Sequence, residues 1–326
     1  MPPDELVWHY TDGAGLLGIL TDHVLWATAS EFLNDNAEVR LGASRIAAEL
    51  DASAAAGDPL ARLLRSRTRD AETGDGGPSP STFFILSAAR HWDLLAMWRT
   101  YGGLGESYAV GLDPTAPLLV LTDEDAALPA ELLSSPAAPG DAATADVGYV
   151  RQRPWAPVRY GEEEQRRLAR AVFDGFGDDV AEARRRLAAG SPTASVVEAM
   201  ASTLDDVEQA LVLIKHPGFV DEREVRHSTS LLHRSGLGGW RGVVRYRPTR
   251  YGIAPHLWLT GSAPDAAGTG AGGHAALTTS AAPLPIREVA ISPSANGRAA
   301  TASLAALLAA RGYDVPVRRS SIPFRG

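Results

Sequence analysis

The stretch Ile-Lys-His-Pro-Gly-Phe-Val-Asp-Glu-Arg-Glu-Val-Arg-His-Ser-Thr-Ser-Leu, residues 214–231, combines a helix-breaking triplet with a run of alternating side chains. The triplet is His216-Pro217-Gly218, and it ends a predicted helix because proline cannot continue one and glycine suits the turn. The alternation after it predicts a strand with Glu222, Glu224 and Arg226 on one face. Two carboxylates and a guanidinium on one face are costly unless they are exposed, paired or used. The stretch therefore predicts either a solvated salt-bridge ladder or a functional site.

The rest of the chain surrounds this stretch with strand-like and helix-like patterns. Runs of β-branched, aromatic and aliphatic residues predict strands at Leu6–Tyr10, Val24–Thr28, Thr82–Ser87 and Ser107–Leu112. Apolar residues at three- and four-residue steps predict helices before residue 214. We expect one α+β domain over residues 1–326. A mainly helical insertion is predicted at about 160–214 and a flexible loop at about 263–285.

Composition narrows the class of protein. Hydrophobic residues make up 45% of the chain and the formal net charge is −8, which is ordinary for a globular protein and disfavours general affinity for nucleic-acid backbones. Cysteine is absent, which excludes disulfides, thiolate metal sites and a cysteine nucleophile. No basic and apolar leader pattern and no apolar run of ~18 residues is present, so we expect a cytoplasmic protein without a membrane partner.

Two clusters of side chains have both a chemical and a structural interpretation. Glu222 and Glu224 are suited to hold a hydroxyl or a ribose, or to act as a general base, while Arg226 fixes one carboxylate. A solvated ladder of ion pairs is the commoner use of such a pattern. His9-Tyr10-Thr11 ends the first strand, where the imidazole and the ring are suited to read a ribose and stack on a base. A buried histidine and a core tyrosine explain the same pattern.

Further candidates lie on predicted loops and helix ends. Trp98-Arg99-Thr100-Tyr101 precedes a glycine pair and is suited to clamp a phosphate and a base; the alternative is Trp98 in the core and Arg99 on the surface. The group of Asn34, Asp35 and Glu38 is suited to cap a helix or to bind a cation. Capping is the favoured interpretation because the group supplies too few oxygen ligands for a stable metal site. The chain lacks G-x-x-x-x-G-K-[ST], H-E-x-x-H and G-x-S-x-G, and its histidines have no ligand spacing, so no metal site is predicted.

Taken in order, these segments resemble bacterial domain-of-unknown-function family 2971 over nearly the whole chain. The resemblance rests on the segments His9-Tyr10-Thr11, Leu25-Trp26-Ala27-Thr28, Phe32-Leu33-Asn34-Asp35, Met97-Trp98-Arg99-Thr100-Tyr101-Gly102, Lys215-His216-Pro217, Glu222-Arg223-Glu224-Val225-Arg226 and Ser321-Ile322-Pro323-Phe324-Arg325. The family name implies no activity.

A more distant resemblance is to ADP-ribosyltransferases of the His-Tyr-Glu kind. It implies their mixed, mostly antiparallel split sheet, NAD as co-substrate and roles for individual residues. His9 would meet the adenosine ribose, and Glu224, with Glu222 as rival, would polarise the nicotinamide ribose. The stacking aromatic is left open. The resemblance places Tyr10, Thr11, Trp26, Asn34, Trp98, Arg99, Tyr101 and Arg226 with His9 in the NAD-binding set.

The resemblance implies an enzyme that cleaves the nicotinamide N-glycosidic bond of NAD and transfers ADP-ribose to an acceptor, which is a nucleic acid, a protein or a small molecule. It is compatible with a bacterial defence or toxin setting. Three alternatives stay open: an NAD glycohydrolase, an inactive nucleotide-binding module, and a metal-dependent nuclease-like enzyme that uses Glu222 and Glu224. Every hypothesis in which the chain binds or cleaves NAD requires His9 and Glu224, which are far apart in sequence, to face one cleft.

Overall fold

The computed structural model describes residues 5–33, 37–55, 81–102, 105–129, 131–133, 147–190, 209–233, 235–249, 252–262, 277–293 and 296–323. The strands within these ranges are β1 (Val7–Asp12), β2 (Val24–Ala29), β3 (Ser81–Ala89), β4 (Ser107–Leu112), β5 (Leu118–Leu121), β6 (Glu131–Leu133), β7 (Val147–Pro157), β8 (Glu224–His233), β9 (Arg245–Thr249), β10 (Gly252–Gly261), β11 (Leu277–Thr278), β12 (Ile286–Ile291) and β13 (Val317–Arg319). The helices are α1 (Gly13–Asp22), α2 (Ala37–Ala55), α3 (Leu95–Tyr101), α4 (Glu162–Ala188) and α5 (Gly297–Ala310). Residues 209–213 are also helical, and Ser30–Phe32, Pro217–Glu222 and Gly236–Trp240 form 3₁₀ turns.

The strands form one mixed sheet in which most neighbours are antiparallel. Its longest path runs β11-β5-β10-β2-β3-β1-β4-β12-β13, with β8, β7 and β6 branching from β3 and with β9 beside β10. Parallel pairing occurs between β11 and β5, β12 and β13, and β6 and β7. The α+β class and the mixed, mostly antiparallel sheet predicted from the sequence are confirmed.

Strand β3 is central to the sheet because it pairs with three other strands, β8 along one edge and β1 and β2 along the other. One edge pairs with β8 over its whole length, from Ser81 opposite Leu232 to Ala89 opposite Glu224. The other edge is shared, since β2 pairs near Ile85 and β1 pairs only at Ala89. β1 and β2 therefore diverge from one strand and leave a cleft between them.

Apolar clusters lie on both sides of the sheet. The largest contains the buried faces of α1 and α5 and the inward residues of most strands, including Leu25, Phe84 and Leu257. On the opposite side, Trp8, Tyr10 and Trp98 pack together under α3 with their neighbours. Alternation along each strand supplies both clusters because successive side chains point to opposite faces.

Within the region predicted as a helical insertion, α4 and residues 209–213 are helical, and residues 191–208 lie outside the described residues. Ala169 and Val172 of α4 pack with Ile46 of α2 and with Leu211 in a separate cluster. The contact is close, since a side-chain carbon on Gly42 would lie 2.6 Å from the Leu211 carbonyl oxygen. Helix α4 is continuous from Glu162 to Ala188, so the glycines within it do not divide it.

Several local predictions are wrong or fall outside the described residues. Aspartate is a preferred helix N-cap, which predicts that Asp93 caps the helix after it. Its carboxylate instead accepts hydrogen bonds from the Trp98 indole and the Ser320 hydroxyl, and Leu94 is the N-cap of α3. The aromatic and β-branched residues of Gly239–Tyr246 predict a strand. Residues 236–240 form a 3₁₀ turn instead, and β9 begins only at Arg245. Most of the predicted loop at 263–285 lies outside the described residues, and its last part contains β11.

Within the described residues, no helix has the combination of length and hydrophobicity needed to cross a membrane.

Candidate functional site

The single lysine of the chain joins the two candidate acids. The Lys215 ammonium donates to Glu222 Oε2 at 2.6 Å and to Glu224 Oε2 at 2.9 Å. All three side chains are largely buried, with 6%, 12% and 5% exposure for Lys215, Glu222 and Glu224. The ammonium therefore serves as a bridge that brings two carboxylates together in a poorly hydrated place.

A second cation holds Glu224 from the other side. The Arg226 guanidinium donates from Nε to Glu224 Oε1 at 2.8 Å and from Nη2 to Glu224 Oε2 at 2.9 Å, a bidentate pair. Its Nη1 donates to the Val212 carbonyl oxygen at 2.7 Å. Burial alone would raise the pKa of Glu224, but the charges of Arg226 and Lys215 and a hydrogen bond from Ser87 outweigh it and lower the pKa to about 2. Glu224 is thus ionised at any ordinary pH.

The backbone before β8 places the two acids on either side of Lys215. His216 caps the 3₁₀ turn Pro217–Glu222 by accepting a hydrogen bond from the Gly218 amide, and Arg223 follows in a left-handed conformation with φ 47°. This bend replaces the first part of the predicted strand, so β8 begins only at Glu224. Glu222 is therefore not a strand neighbour of Glu224, although both still reach Lys215.

Neighbouring segments fix the position of Lys215. Its amide donates to the Arg159 carbonyl oxygen at 3.1 Å, and its own carbonyl accepts from the Gln165 side chain at 2.9 Å. The Glu224 amide in turn donates to the Tyr160 hydroxyl at 2.9 Å. The start of α4 and the residues before it therefore act as a frame for the ion cluster.

The ion cluster opens on a pocket in the cleft between β1 and β2. The pocket has a volume of about 650 Å³, within the usual range for small-molecule sites. Its walls come from β1, α1, β2, β3, β8, β9 and α3. The lining residues are His9, Tyr10, Thr11, Asp12, Ala14, Gly15, Gly18, Ile19, Asp22, Val24, Trp26, Thr28, Phe32, Leu33, Ile85, Ser87, Ala88, Met97, Tyr101, Lys215, Glu222, Glu224, Arg226 and Arg247. His9 and Glu224, which the sequence could not connect, line the same cavity.

His9 is held as a neutral hydrogen-bond acceptor. Its Nδ1 lies 2.9 Å from the Ser87 carbonyl oxygen, which only accepts, so Nδ1 carries the proton and Nε2 is the acceptor. Burial lowers the pKa of His9, and the bond to Ser87 offsets this only in part. The Nε2 atom of a neutral imidazole in this tautomer is suited to accept a hydrogen bond from a hydroxyl group of a ligand.

The aromatic candidates separate into pocket and packing residues. Trp26 and Tyr101 line the pocket, and Trp26 is 45% exposed. Tyr10 also lines it, but its hydroxyl donates to the His91 carbonyl and accepts from the Leu94 amide, which leaves the ring as its contribution. Trp98 packs edge-on against Tyr10 in the cluster under α3 and does not line the pocket.

Two other predicted ligand residues do not reach the pocket or cannot be placed. Arg99 is exposed on α3, Trp98 is buried, and neither is among the pocket residues, which is the placement of the alternative interpretation with Trp98 in the core and Arg99 on the surface. Asn34 lies outside the described residues.

Sequence reasoning missed Lys215 and Arg247 as site residues. Lys215 had a visible signal, since it is the only lysine in a chain whose other basic residues are arginines and it directly precedes the helix break. Arg247 had no such signal in the sequence. It lies in a segment of alternating exposed and half-buried residues and reaches the pocket through the pairing of β9 with β10.

Within the described residues, no group of three or more His, Asp or Glu side chains has the geometry of a metal site. The nearest approach to one is the acid pair, and the Lys215 ammonium occupies the position between its carboxylates.

Comparison with known proteins found no matching family model, no matching curated protein and no matching solved structure. Membership in domain-of-unknown-function family 2971 and the distant likeness to ADP-ribosyltransferases stay predictions from the sequence.

Proposed function

We propose that the chain is an NAD-using ADP-ribosyltransferase-like enzyme whose site is the pocket between β1 and β2. The observation that carries the proposal is that His9 and the acid pair Glu222 and Glu224 line one cavity of about 650 Å³. The divergence of β1 and β2 from β3 is compatible with the split sheet that the resemblance to ADP-ribosyltransferases implies.

The lining suits the parts of a dinucleotide. The Nε2 acceptor of His9 matches a ribose hydroxyl, and the rings of Trp26 and Tyr101 offer faces on which a base or a nicotinamide stacks. The carboxylates match a sugar whose anomeric carbon gains positive charge when the glycosidic bond weakens.

The reaction would break the bond between the anomeric carbon and the nicotinamide nitrogen, and its electron pair would leave with nicotinamide. An acceptor oxygen or nitrogen would form the new bond to the anomeric carbon and lose its proton to solvent or to a carboxylate. Because the pKa of Glu224 is about 2, Glu224 is suited to stabilise positive charge rather than to carry a proton. Water as the acceptor would give the glycohydrolase.

A binding module without turnover is the second candidate, and one observation favours it. Both oxygens of Glu224 already accept hydrogen bonds from cations, so its negative charge is largely compensated before a ligand arrives. The metal-dependent nuclease is less favoured, since a divalent cation would compete with Lys215 for the same carboxylate oxygens.

The test is incubation of the full chain with NAD labelled in the nicotinamide ring. Release of nicotinamide that is lost in Glu224→Gln and in Glu222→Gln, but retained in the exposed control Glu163→Gln, would support the enzyme. Binding of NAD without release would support the module. Turnover that requires a divalent metal and stops on chelation would overturn the proposal in favour of the nuclease-like enzyme.

A further inference from the structure

We infer that Arg247 is the phosphate-binding side chain of this pocket, and that the pocket takes a ligand with a phosphate or pyrophosphate group. The inference rests on the proposed function in one respect, which is that the phosphates in question would be those of NAD. It replaces the assignment of that role to Arg99.

Among the described residues, three cations line the pocket, and two of them are engaged by acids. Lys215 is bound by Glu222 and Glu224, and Arg226 by Glu224 and the Val212 carbonyl. Arg247 has no carboxylate within ion-pair distance in the part of the chain that the structure describes, so its charge is the one left for a ligand.

The contacts of Arg247 orient its guanidinium without neutralising it. Its Nη2 donates to the Thr28 hydroxyl at 3.0 Å, and its guanidinium carbon lies 5.2 Å from the centre of the Trp26 ring. Its Nε is buried and has no acceptor among the described residues. A guanidinium has five N–H donors, so most of its capacity is unused.

Burial makes this arrangement unfavourable in the absence of an anion. It lowers the pKa of Arg247, which means that the surroundings disfavour the charged form, although an arginine stays protonated. An anionic ligand would restore the interactions that water supplies elsewhere. Phosphate oxygens suit a guanidinium well because they accept charge-assisted hydrogen bonds in its planar geometry.

The charge pattern of the pocket also gives the ligand a direction. The carboxylates of Glu222 and Glu224 lie with their cations at the β8 side, and Asp12 and Asp22 lie along α1. An anionic group would be repelled by these acids and attracted to Arg247 on β9. The sugar that meets the acids and the phosphate that meets Arg247 would then belong to one phosphorylated ligand.

The chain supplies a matched control on the same strand. Arg245 lies two residues before Arg247, and its guanidinium carbon is 4.1 Å from the Trp258 ring centre. Its Nη2 is paired with Asp123 at 2.6 Å, and it does not line the pocket. Replacing it removes an arginine that stacks on a tryptophan without touching the proposed subsite.

The experiment is isothermal titration of wild type, Arg247→Met, Arg247→Lys and Arg245→Met with three probes: ADP-ribose, adenosine and inorganic pyrophosphate. We expect Arg247→Met to weaken ADP-ribose and pyrophosphate by about 10-fold to 100-fold, because a hydrogen bond to a charged group is lost. Adenosine binding should not change. Arg247→Lys should lose less, and Arg245→Met should resemble wild type for every probe.

Three results would overturn the inference: equal ADP-ribose affinity in wild type and Arg247→Met, an equal loss for ADP-ribose and adenosine, or no preference of wild type for ADP-ribose over adenosine. The last comparison uses wild type alone, so it decides the question even if Arg247→Met does not fold. Pyrophosphate binding that depends on Arg247 in a protein that never consumes NAD would sustain the subsite while the proposed enzyme failed.

Discussion

Replacing Lys215 with methionine removes the ammonium that joins Glu222 to Glu224 while keeping a long apolar side chain of similar reach. Four charges meet in this cluster, two from Lys215 and Arg226 and two from the acids, so the cluster is neutral as a whole. In Lys215→Met it carries one uncompensated negative charge in a place where the side chains are at most 12% exposed.

The size of the effect follows from which partner is left unpaired. Removing one member of a buried ion pair costs roughly 3–5 kcal/mol, because the remaining charge stays desolvated. Glu224 retains the bidentate bond from Arg226, so most of the cost falls on Glu222, which is the more exposed acid. We therefore expect a loss of about 3 kcal/mol, and the pKa of Glu224 should rise because one of the charges that lower it is gone.

Urea unfolding followed by tryptophan fluorescence measures the free energy of unfolding of this variant. The double variant Lys215→Met/Glu222→Gln removes one charge of each sign and should recover most of the loss. Arg170→Met is the exposed control, since Arg170 pairs with Glu49 at the surface, and such pairs contribute less than about 1 kcal/mol. If Lys215→Met unfolded like Arg170→Met, or if the double variant were less stable than the single one, the bridging role of Lys215 would be refuted.

Three other expectations concern the core, the pocket and the helical region. Burial lowers the pKa of His227 from 6.5 to about 4, so between these two pH values the unfolded chain binds a proton and the native state does not. The free energy of unfolding should therefore fall by on the order of 3 kcal/mol as the pH drops from 6.5 to 4. His227→Leu should show a weaker dependence of this free energy on pH. His9→Ala should weaken NAD binding more than it slows chemistry, as binding and single-turnover assays would show, and the reverse pattern would mean that its role is misassigned. Gly42→Ala should lower the thermal midpoint at a cost of about 1–3 kcal/mol because its new carbon would lie 2.6 Å from a backbone oxygen, whereas Gly175→Ala, with open space around it, should be neutral or stabilising by up to about 1 kcal/mol; equal midpoints for the two would argue against the close packing of α2.

Much of the fold was accessible from local pattern. The apolar and β-branched runs that became β1, β2, β3 and β4 were visible in the sequence. Asp12 is of a residue type that favours helix N-caps, and it caps α1 with Oδ1 accepting from the Gly15 amide at 2.7 Å. These elements follow from side-chain periodicity and capping, which act over a few residues. The sharing of one edge of β3 by β1 and β2 was not derivable from periodicity, because it depends on pairing between distant strands.

The site shows the same limit. The alternation at residues 220–226 predicted a continuous strand, and the left-handed conformation of Arg223 overrides it because the 3₁₀ turn before it is capped by His216. The charge pattern still identified the two acids correctly as neighbours in space. It gave no sign that Lys215 would lie between them, because Lys215 ends the predicted helix and the two acids belong to the predicted strand after the turn. Arg247 enters the pocket through the pairing of β9 with β10.

The sharing of β3 also has a mechanical consequence. Strand β1, which carries His9, pairs with β3 at a single position, Trp8 opposite Ala89. Strand β2, which carries Trp26, pairs with β3 at two positions. Glu224 and Arg226, in contrast, lie on β8, which pairs with β3 over a nine-residue register from Ser81 to Ala89. Widening the cleft between β1 and β2 would therefore break few ladder hydrogen bonds to β3, whereas displacing Glu224 from its wall would break the long ladder between β3 and β8.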